Sequence, residues 1–245
     1  MQAAITLAGR GHEVTLVEKA DKLGGNLHPA GAAYFKRDIA KFCQVLINRV
    51  HKAGVRVVLN TEVTPAYVRE AAPDVLFVAI GSEETLPPIP GIRGENVVMA
   101  IDAELHPEKL GKKVVIMGGG LVGSEAAVAF HAEGRECSII EMKDEVAGDV
   151  NMLYRGGLMP EIEKAAAIYT NTVVKESYGQ RRDGRAGGRA VYHRRGFRGL
   201  RPGVFILPGT GWTPCATRSW NPILWATAIR WPRSLRRSTM RSTRR

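Results

Sequence analysis

Three glycines and one acid have the spacing of a nucleotide site. Gly118, Gly120 and Gly123 form a G-x-G-x-x-G pattern, and Glu141 ends the apolar run that follows. In such a site the first glycine makes a tight turn, the second lets backbone approach a pyrophosphate, and the third lets helix and strand pack closely. Helix N-terminal amides then bind the phosphates, and the acid accepts the ribose hydroxyls. The pattern predicts a dinucleotide site, with an ordinary α/β turn as the alternative.

The surrounding segments have the types that this motif requires. Residues 114–117 are an apolar run typical of a buried strand, residues 124–130 are alanine-rich and favour a helix, and residues 137–140 are a second apolar run. The order strand, glycine turn, helix, strand and acid is the context in which the motif binds a dinucleotide. We therefore expect Glu141 to favour NAD over NADP.

The amino-terminal residues repeat the second half of this arrangement. Residues 2–8 are apolar at helical spacing, and residues 13–17 form a strand-like run that ends at Glu18. The strand and glycine loop that should come first have no counterpart before Met1. We therefore predict a site that lacks its first part, the alternative being a helix that simply starts the chain.

Composition excludes several classes of protein. A length of 245 residues with 44% hydrophobic content allows one or two domains with a real core. Cys43, Cys137 and Cys215 contain no close pair, which excludes a disulfide framework and a cysteine-based metal site. With no signal peptide and no run of about 20 apolar residues, we expect a cytoplasmic protein without a membrane span or a metal.

The formal net charge of +11 is concentrated in one part of the chain. Residues 1–177 hold 19 Lys and Arg against 23 Asp and Glu, whereas residues 178–245 hold 16 against 1. Every basic residue of the second part is arginine, and all four tryptophans lie there. We predict that residues 178–245 are a disordered tail, read in a shifted frame from about Tyr178.

Elsewhere the sequence offers no catalytic acid or base. His12, His28, His51, His106 and His131 have no partner that would make a triad, and we interpret them as structural or surface residues. Residues 35–53 predict an amphipathic helix, and Cys43 is interpreted as a packing residue. The predicted apolar face consists of Ile39, Phe42, Val45, Leu46 and Val50.

Five separated motifs occur in the order found in flavoproteins with two dinucleotide-binding domains. They are residues 17–19, 23–26, 78–82 with 89–91, 118–123 with Glu141, and 149–152 with 168–172. Over about residues 1–176 the chain resembles the carboxy-terminal half of NADH:flavin oxidoreductases similar to 2,4-dienoyl-CoA reductase, trimethylamine dehydrogenase and enoate reductases.

The resemblance implies a role for each matching position. It implies FAD contacts, with the acid and lysine at the adenosine ribose, for Glu18, Lys19, Gly24, Gly25, Asn26 and Gly81. It implies NADH contacts for Gly118, Gly120, Gly123 and Glu141. The family's first glycine fingerprint has no counterpart before Met1, so we expect flavin binding to be weak or lost. The resemblance also implies an amino-terminal barrel with FMN, an iron–sulfur cluster and the substrate pocket, which this sequence does not contain, so no substrate is predicted.

These observations predict an α/β, Rossmann-type protein with two nucleotide-binding units and a function in relaying electrons from NADH to flavin. The predicted domains are a partial FAD-binding domain at 1–107, an NAD-binding unit at 108–177 and the tail at 178–245. Two alternatives stay open. One is a non-functional fragment, and the other is nucleic-acid binding by the Arg/Trp-rich tail, which the acidic, nucleotide-binding body disfavours.

Overall fold

The computed structural model describes residues 1–84, 86–178, 189–193, 204–207, 213–214 and 226–230. They form two compact units. Unit 1 contains Met1–Gly31, Arg37–Glu83 and the described residues from Thr213 onward; unit 2 contains Ala32–Lys36 and the described residues between Glu84 and Trp212. The predicted boundary at residues 107 and 108 lies inside unit 2.

The described helices and strands alternate along most of the chain. The α-helices are α1 Gln2–Ala8, α2 Leu27–Ala30, α3 Arg37–Lys52, α4 Pro65–Ala71, α5 Ala100–Leu105, α6 Leu121–Ala132 and α7 Met152–Ala165, and Tyr34–Lys36 and Pro107–Lys109 are short 3-10 helices. The strands are β1 Glu13–Val17, β2 Arg56–Val58, β3 Val75–Val78, β4 Ser82–Glu83, β5 Val97–Met99, β6 Lys113–Met117, β7 Glu136–Ile140, β8 Ala166–Tyr169, β9 Val173–Tyr178, β10 Arg189–His193, β11 Val204–Leu207, β12 Thr213–Pro214 and β13 Ala226–Arg230.

Unit 1 is built on a four-stranded sheet in the order β2-β1-β13-β3. β1 and β2 are parallel, whereas β13 runs antiparallel to both of its neighbours, β1 and β3. The core under this sheet is formed by apolar residues of α1, β1 and α3, among them Ala4, Val14, Leu16 and Val50. A strand of the arginine-rich tail thus lies inside an otherwise parallel arrangement.

Helix α3 confirms the predicted helix but presents a different face to the core. Cys43, Leu46 and Val50 are buried, whereas Phe42 and Val45 are 53% and 51% exposed. The prediction that Phe42 and Val45 belong to the buried face was wrong. The period of 3.6 residues allows only a stripe about 100° wide, and Cys43, interpreted as a packing residue, is buried within it.

Unit 2 is a five-stranded parallel sheet in the order β5-β11-β6-β7-β8. Four consecutive residues of β6, Val114 to Met117, are buried, because both faces of a parallel sheet are covered. The alanines of α6 let the helix approach closely, and Ala126, Ala127 and Phe130 pack into the core with Ile116 and Ile139. This arrangement confirms the Rossmann-type α/β fold.

Four short segments of the tail pair as strands, where the sequence predicts disorder. β11 is an interior strand of the unit 2 sheet, between β5 and β6, and β13 lies between β1 and β3 in unit 1. β10 and β12 each pair with a single neighbour, β9 and β4. The rest of the predicted tail, including all four tryptophans, lies outside the described residues.

Candidate functional site: a glycine loop with its acid in unit 2

The glycine loop of unit 2 connects β6 to α6. Gly118 has a φ of 122°, a conformation that side chains rarely allow, and its N–H donates to the Ile140 carbonyl at 2.8 Å. Gly120 is the N-cap residue of α6. Since a glycine has no side chain to cap the helix, the amides of the first turn are left for a ligand.

The three glycines of the motif and their neighbour Gly119 serve different purposes. A Cβ added to Gly119 would lie 2.6 Å from Val146 Cγ1 and 3.1 Å from Ile139 Cγ2, so this glycine is required for packing. A Cβ on Gly120 would meet nothing closer than the Asp149 carboxylate at 3.7 Å. Gly123 is buried within α6. Gly120 therefore leaves open space beside the helix end, as the approach of a pyrophosphate requires.

Glu141 is held against this loop. Its side chain is 7% exposed, and its Oε2 accepts a hydrogen bond of 2.7 Å from the Gly119 N–H. Its Oε1 accepts one of 2.8 Å from the Lys143 N–H. An ionised carboxylate has about four acceptor positions, so Glu141 keeps capacity for the ribose hydroxyls of a dinucleotide.

The segment between β7 and α7 folds back onto the glycine loop. The Ala147 N–H donates to the Gly119 carbonyl at 2.6 Å, and the Asn151 side chain caps α7 by accepting from the Leu153 N–H at 3.0 Å. Arg155 ties the segment to α7 through Glu145 Oε2 at 2.6 Å. The Ala147 bond therefore holds the glycine loop, and the other two hold the segment against α7.

A cluster of charged and polar side chains that the sequence did not predict is centred on Glu125 of α6. Glu125, two residues after Gly123, is 7% exposed and forms an ion pair with Lys36 through its Oε2. The Tyr154 hydroxyl donates to the other oxygen, Oε1, at 2.6 Å. The acid two residues after the third glycine was visible in the sequence, but nothing there indicated that Lys36 and Tyr154 would contact it.

Two further carboxyls surround this ion pair. Burial raises the pKa of Glu104 to about 7, and the charges of Glu125 and Glu84 add to the shift, while Lys36 opposes it. Burial also raises the pKa of Glu84, whose Oε1 accepts from the Ile101 N–H at 3.1 Å. The cluster therefore contains a carboxyl group that changes charge near neutral pH.

In unit 1 the acid at the end of β1 has a related but simpler environment. Glu18 is 6% exposed, and its Oε1 accepts from the Ala20 N–H at 2.8 Å. Burial raises its pKa, while the hydrogen bonds from Ala20 and Lys19 oppose the rise. The Lys19 side chain is exposed and pairs with Glu62 at 3.4 Å, so it lies at the surface.

The predicted flavin contacts of unit 1 differ in how open they are. A Cβ on Gly24 would lie 2.6 Å from His28 Nε2 and 2.7 Å from Cys43 Sγ, so this glycine allows close packing. Gly25 and Gly81, with φ of 49° and 65°, have nothing within 4 Å of an added Cβ. Asn26 is the N-cap residue of α2. Gly25 and Gly81 are the positions that leave room for a ligand.

In the part of the chain that the structure describes, no three His, Cys, Asp or Glu side chains come together in a way that could hold a metal ion. None of the described helices has the length and apolar character needed to cross a bilayer.

Comparison with known proteins decides the family. The sequence profile of the pyridine nucleotide-disulphide oxidoreductases matches residues 1–187. The chain belongs to this family. Members of this family bind FAD and NAD(P)H, and the open glycine loop with its buried acid fits a dinucleotide.

Individual relatives are similar over part of their length. A cinnamate reductase from Clostridium sporogenes is 36% identical over 146 residues, which is 60% of this chain and 22% of that protein. An NADH oxidase from Thermoanaerobacter brockii is 36% identical over 181 residues, or 72% of this chain and 28% of that protein. A solved 2-naphthoyl-CoA reductase complex has a TM-score of 0.73 at 26% identity, covering 84% of this chain and 31% of the other. The chain therefore spans less than a third of each relative.

Proposed function

We propose that unit 2 binds NADH at its glycine loop, with Glu141 at the adenosine ribose. The observation that carries this proposal is the bond from the Gly119 N–H to Glu141 Oε2, which brings the acid beside the open space at Gly120. Phosphates on the amides of α6 and ribose hydroxyls on Glu141 would then be held by one rigid loop.

For unit 1 we propose an FAD-type site that binds weakly, with Glu18, Lys19, Gly24, Gly25, Asn26 and Gly81 as its contacts. The support comes from comparing the two sheets. β7, which precedes Glu141, pairs in parallel with β6, the strand that enters the glycine loop. At the corresponding position beside β1 lies β13, which is antiparallel. Because β13 is antiparallel to β1, its carboxyl end, Arg230, lies beside Glu13 at the start of β1 and not beside Glu18. We infer that the pyrophosphate of FAD finds fewer backbone amides here than a dinucleotide finds in unit 2.

Together, these sites support a role in relaying electrons from NADH to flavin in a larger reductase of the NADH:flavin oxidoreductase type. The cofactors supply the redox chemistry, and the chain supplies binding, orientation and charge. We infer that the substrate pocket, with the FMN and iron–sulfur barrel that the resemblance implies, belongs to a separate polypeptide region. The names of these relatives differ in the substrate that they give, so we propose no substrate for this chain.

Two described strands of the tail give opposite indications about the proposed shift of the reading frame. β13 is antiparallel in a sheet whose other neighbours are parallel, as expected for a sequence that did not evolve for that position. β11, by contrast, is an apolar parallel strand between β5 and β6, which weighs against a shift across residues 204–207. Sequencing the gene through these codons tests the proposal, and an intact frame throughout contradicts it.

Calorimetric titration of the purified chain with NADH tests the main proposal. We expect one binding site per chain and an affinity at least tenfold weaker for a Gly120→Ala variant of unchanged thermal stability. An absorbance spectrum tests the second proposal, since a stoichiometric flavin band would contradict weak binding in unit 1. Absence of NADH binding by the folded wild-type chain would contradict the assignment of unit 2.

A further inference from the structure

The carboxylate of Asp149 lies beside the space that Gly120 leaves open. Its oxygens, Oδ2 and Oδ1, are 3.7 and 3.8 Å from the position that a Cβ on Gly120 would take. The Asp149 side chain is exposed, and within the described part of the chain it takes part in no hydrogen bond or ion pair. The pyrophosphate of a dinucleotide approaches the backbone at this glycine, so it meets a second anion there.

The backbone on either side of Asp149 is anchored to unit 2. The Ala147 N–H donates to the Gly119 carbonyl at 2.6 Å, and the Val150 N–H donates to the Ala147 carbonyl at 3.2 Å. Val146 and Ala147 are buried in the core of the unit, and Val150 packs against the same core. The carboxylate can therefore leave the space by rotation of its exposed side chain, whereas the backbone that carries it stays beside the glycine loop.

The segment that carries Asp149 is acidic. Residues 141–151 contain four acids and one lysine, and Arg155, which contacts this segment from α7, pairs with Glu145 at 2.6 Å. A negative side chain near the N-terminus of a helix is stabilised by the helix dipole, so the Asp149 carboxylate has a favourable place in the ligand-free protein. Like charges at short distance repel each other, so the same carboxylate opposes a bound pyrophosphate.

We propose that Asp149 limits the affinity of unit 2 for NADH, because its carboxylate and the pyrophosphate of the cofactor compete for the same end of α6. The inference rests on the proposed binding of NADH by unit 2. The cofactor binds when the Asp149 side chain rotates toward solvent, and the negative charge that remains near the phosphates weakens the complex. Asp149 thus acts against the bound cofactor, in contrast to Glu141, to which we assign the ribose hydroxyls.

Calorimetric titration with NADH at low salt, about 20 mM, tests this inference on the wild type and on variants of Asp149. Asparagine has the shape of aspartate without its charge, and Asp149→Asn should bind NADH about three- to tenfold more tightly, the size expected for a charge at a helix end. Asp149→Glu keeps the charge and should bind NADH no more tightly than the wild type. Glu163→Gln, an exposed position about 17 Å beyond the start of α7, is the matched control and should leave the affinity unchanged.

The salt dependence of NADH affinity separates charge repulsion from an effect on packing. Asp149 is exposed, so its charge is largely screened when the Debye length falls to about 4 Å, at about 0.5 M salt. The difference in NADH affinity between the wild type and Asp149→Asn should therefore fall below about twofold at that salt concentration. A difference that arose from packing would be the same at low and high salt.

Two results overturn the inference. One is an NADH affinity of Asp149→Asn that is equal to or weaker than that of the wild type at low salt, and the other is a gain in affinity that persists unchanged at high salt. Thermal unfolding checks that each variant is folded, and if Asp149→Asn is not, Asp149→Ala replaces it with the same expectation. If neither the wild type nor the neutral variant binds NADH, the proposed function fails together with this inference, whereas NADH binding that is independent of Asp149 overturns only the inference.

Discussion

The Gly119 amide and the Glu141 carboxylate, 22 residues apart in sequence, are joined by a buried hydrogen bond of 2.7 Å. The bond links the loop that leaves β6 to the acid that ends β7, two strands that are paired in parallel along their length. A hydrogen bond to a charged acceptor contributes about 1.5–3 kcal/mol. The acid is therefore part of the loop's own structure before any ligand binds.

Two neighbouring glycine substitutions should separate folding from binding. Gly120→Ala places a methyl group in open space, 3.7 Å from Asp149, at a φ of −67° that alanine accepts. We expect unchanged stability and NADH affinity reduced tenfold or more, about 1.4 kcal/mol. Calorimetry and thermal unfolding measure the two effects.

Gly119→Ala is the control for that experiment. Its Cβ would overlap Val146 and Ile139, so overpacking should lower the free energy of unfolding by about 1–3 kcal/mol. If Gly120→Ala instead destabilises the protein as much as Gly119→Ala, the open space at Gly120 does not serve a ligand.

The nicotinamide cofactor should be NADH rather than NADPH. With Glu141 at the adenosine ribose, a 2′-phosphate would meet a carboxylate, and like charges about 4 Å apart repel by about 4 kcal/mol at an effective dielectric constant near 20. We expect NADPH to bind at least tenfold more weakly in parallel titrations. Glu141→Gln keeps an acceptor for the Gly119 N–H and should reduce the difference between the affinities for NADH and NADPH. Tighter binding of NADPH than of NADH by the wild type contradicts the prediction.

Much of the fold followed from local patterns in the sequence. The buried run of β6, the glycine turn, the alanine-rich α6 and the acid after β7 are all where the motif predicts them. Their signals are local, because each helix, strand or turn is recognised from the hydrophobic periodicity or the turn residues of its own segment. The exposed Phe42 and Val45 show the limit of such patterns, since hydrophobicity alone does not set which way a helix faces.

Features that depend on distant parts of the chain were missed. Residues 204–207 form a short apolar run that could have predicted a buried strand, but the arginine-rich surroundings obscured it. The contact of Lys36 with Glu125 joins positions 89 residues apart. No period or spacing encodes it, because it arises only when the 3-10 helix and α6 come together.

The buried thiols should not react in the native protein. Burial raises the pKa of Cys137 to about 12 and also raises the pKa of Cys43, and the two residues are 4% and 2% exposed. Since the thiolate is the reactive form, we expect labelling of Cys137 by Ellman's reagent at pH 8 to be about a thousandfold slower than that of a free thiol. Labelling of Cys43 should also be slower than that of a free thiol. A Cys215→Ser background removes the third cysteine, and urea should make both thiols reactive. Rapid labelling without denaturant would mean that the cores of the units open readily.

Glu104 should make the folded protein less stable as the pH rises toward neutrality. Its pKa in the folded state is raised to about 7, chiefly by burial, so between its ordinary value and pH 7 the folded state binds more protons than the unfolded state. The free energy of unfolding then falls as pH increases through this window. At pH 8 the loss is on the order of 2–3 kcal/mol.

Urea unfolding of wild type and Glu104→Gln at pH 5 and pH 8 measures this loss. The variant should have the higher free energy of unfolding at pH 8, and the two proteins should have similar values at pH 5. Glu108→Gln, an exposed glutamate near the end of α5, is the matched control and should show the wild-type pH dependence. Equal pH dependence of wild type and Glu104→Gln would show that Glu104 is ionised in the folded state at both pH values.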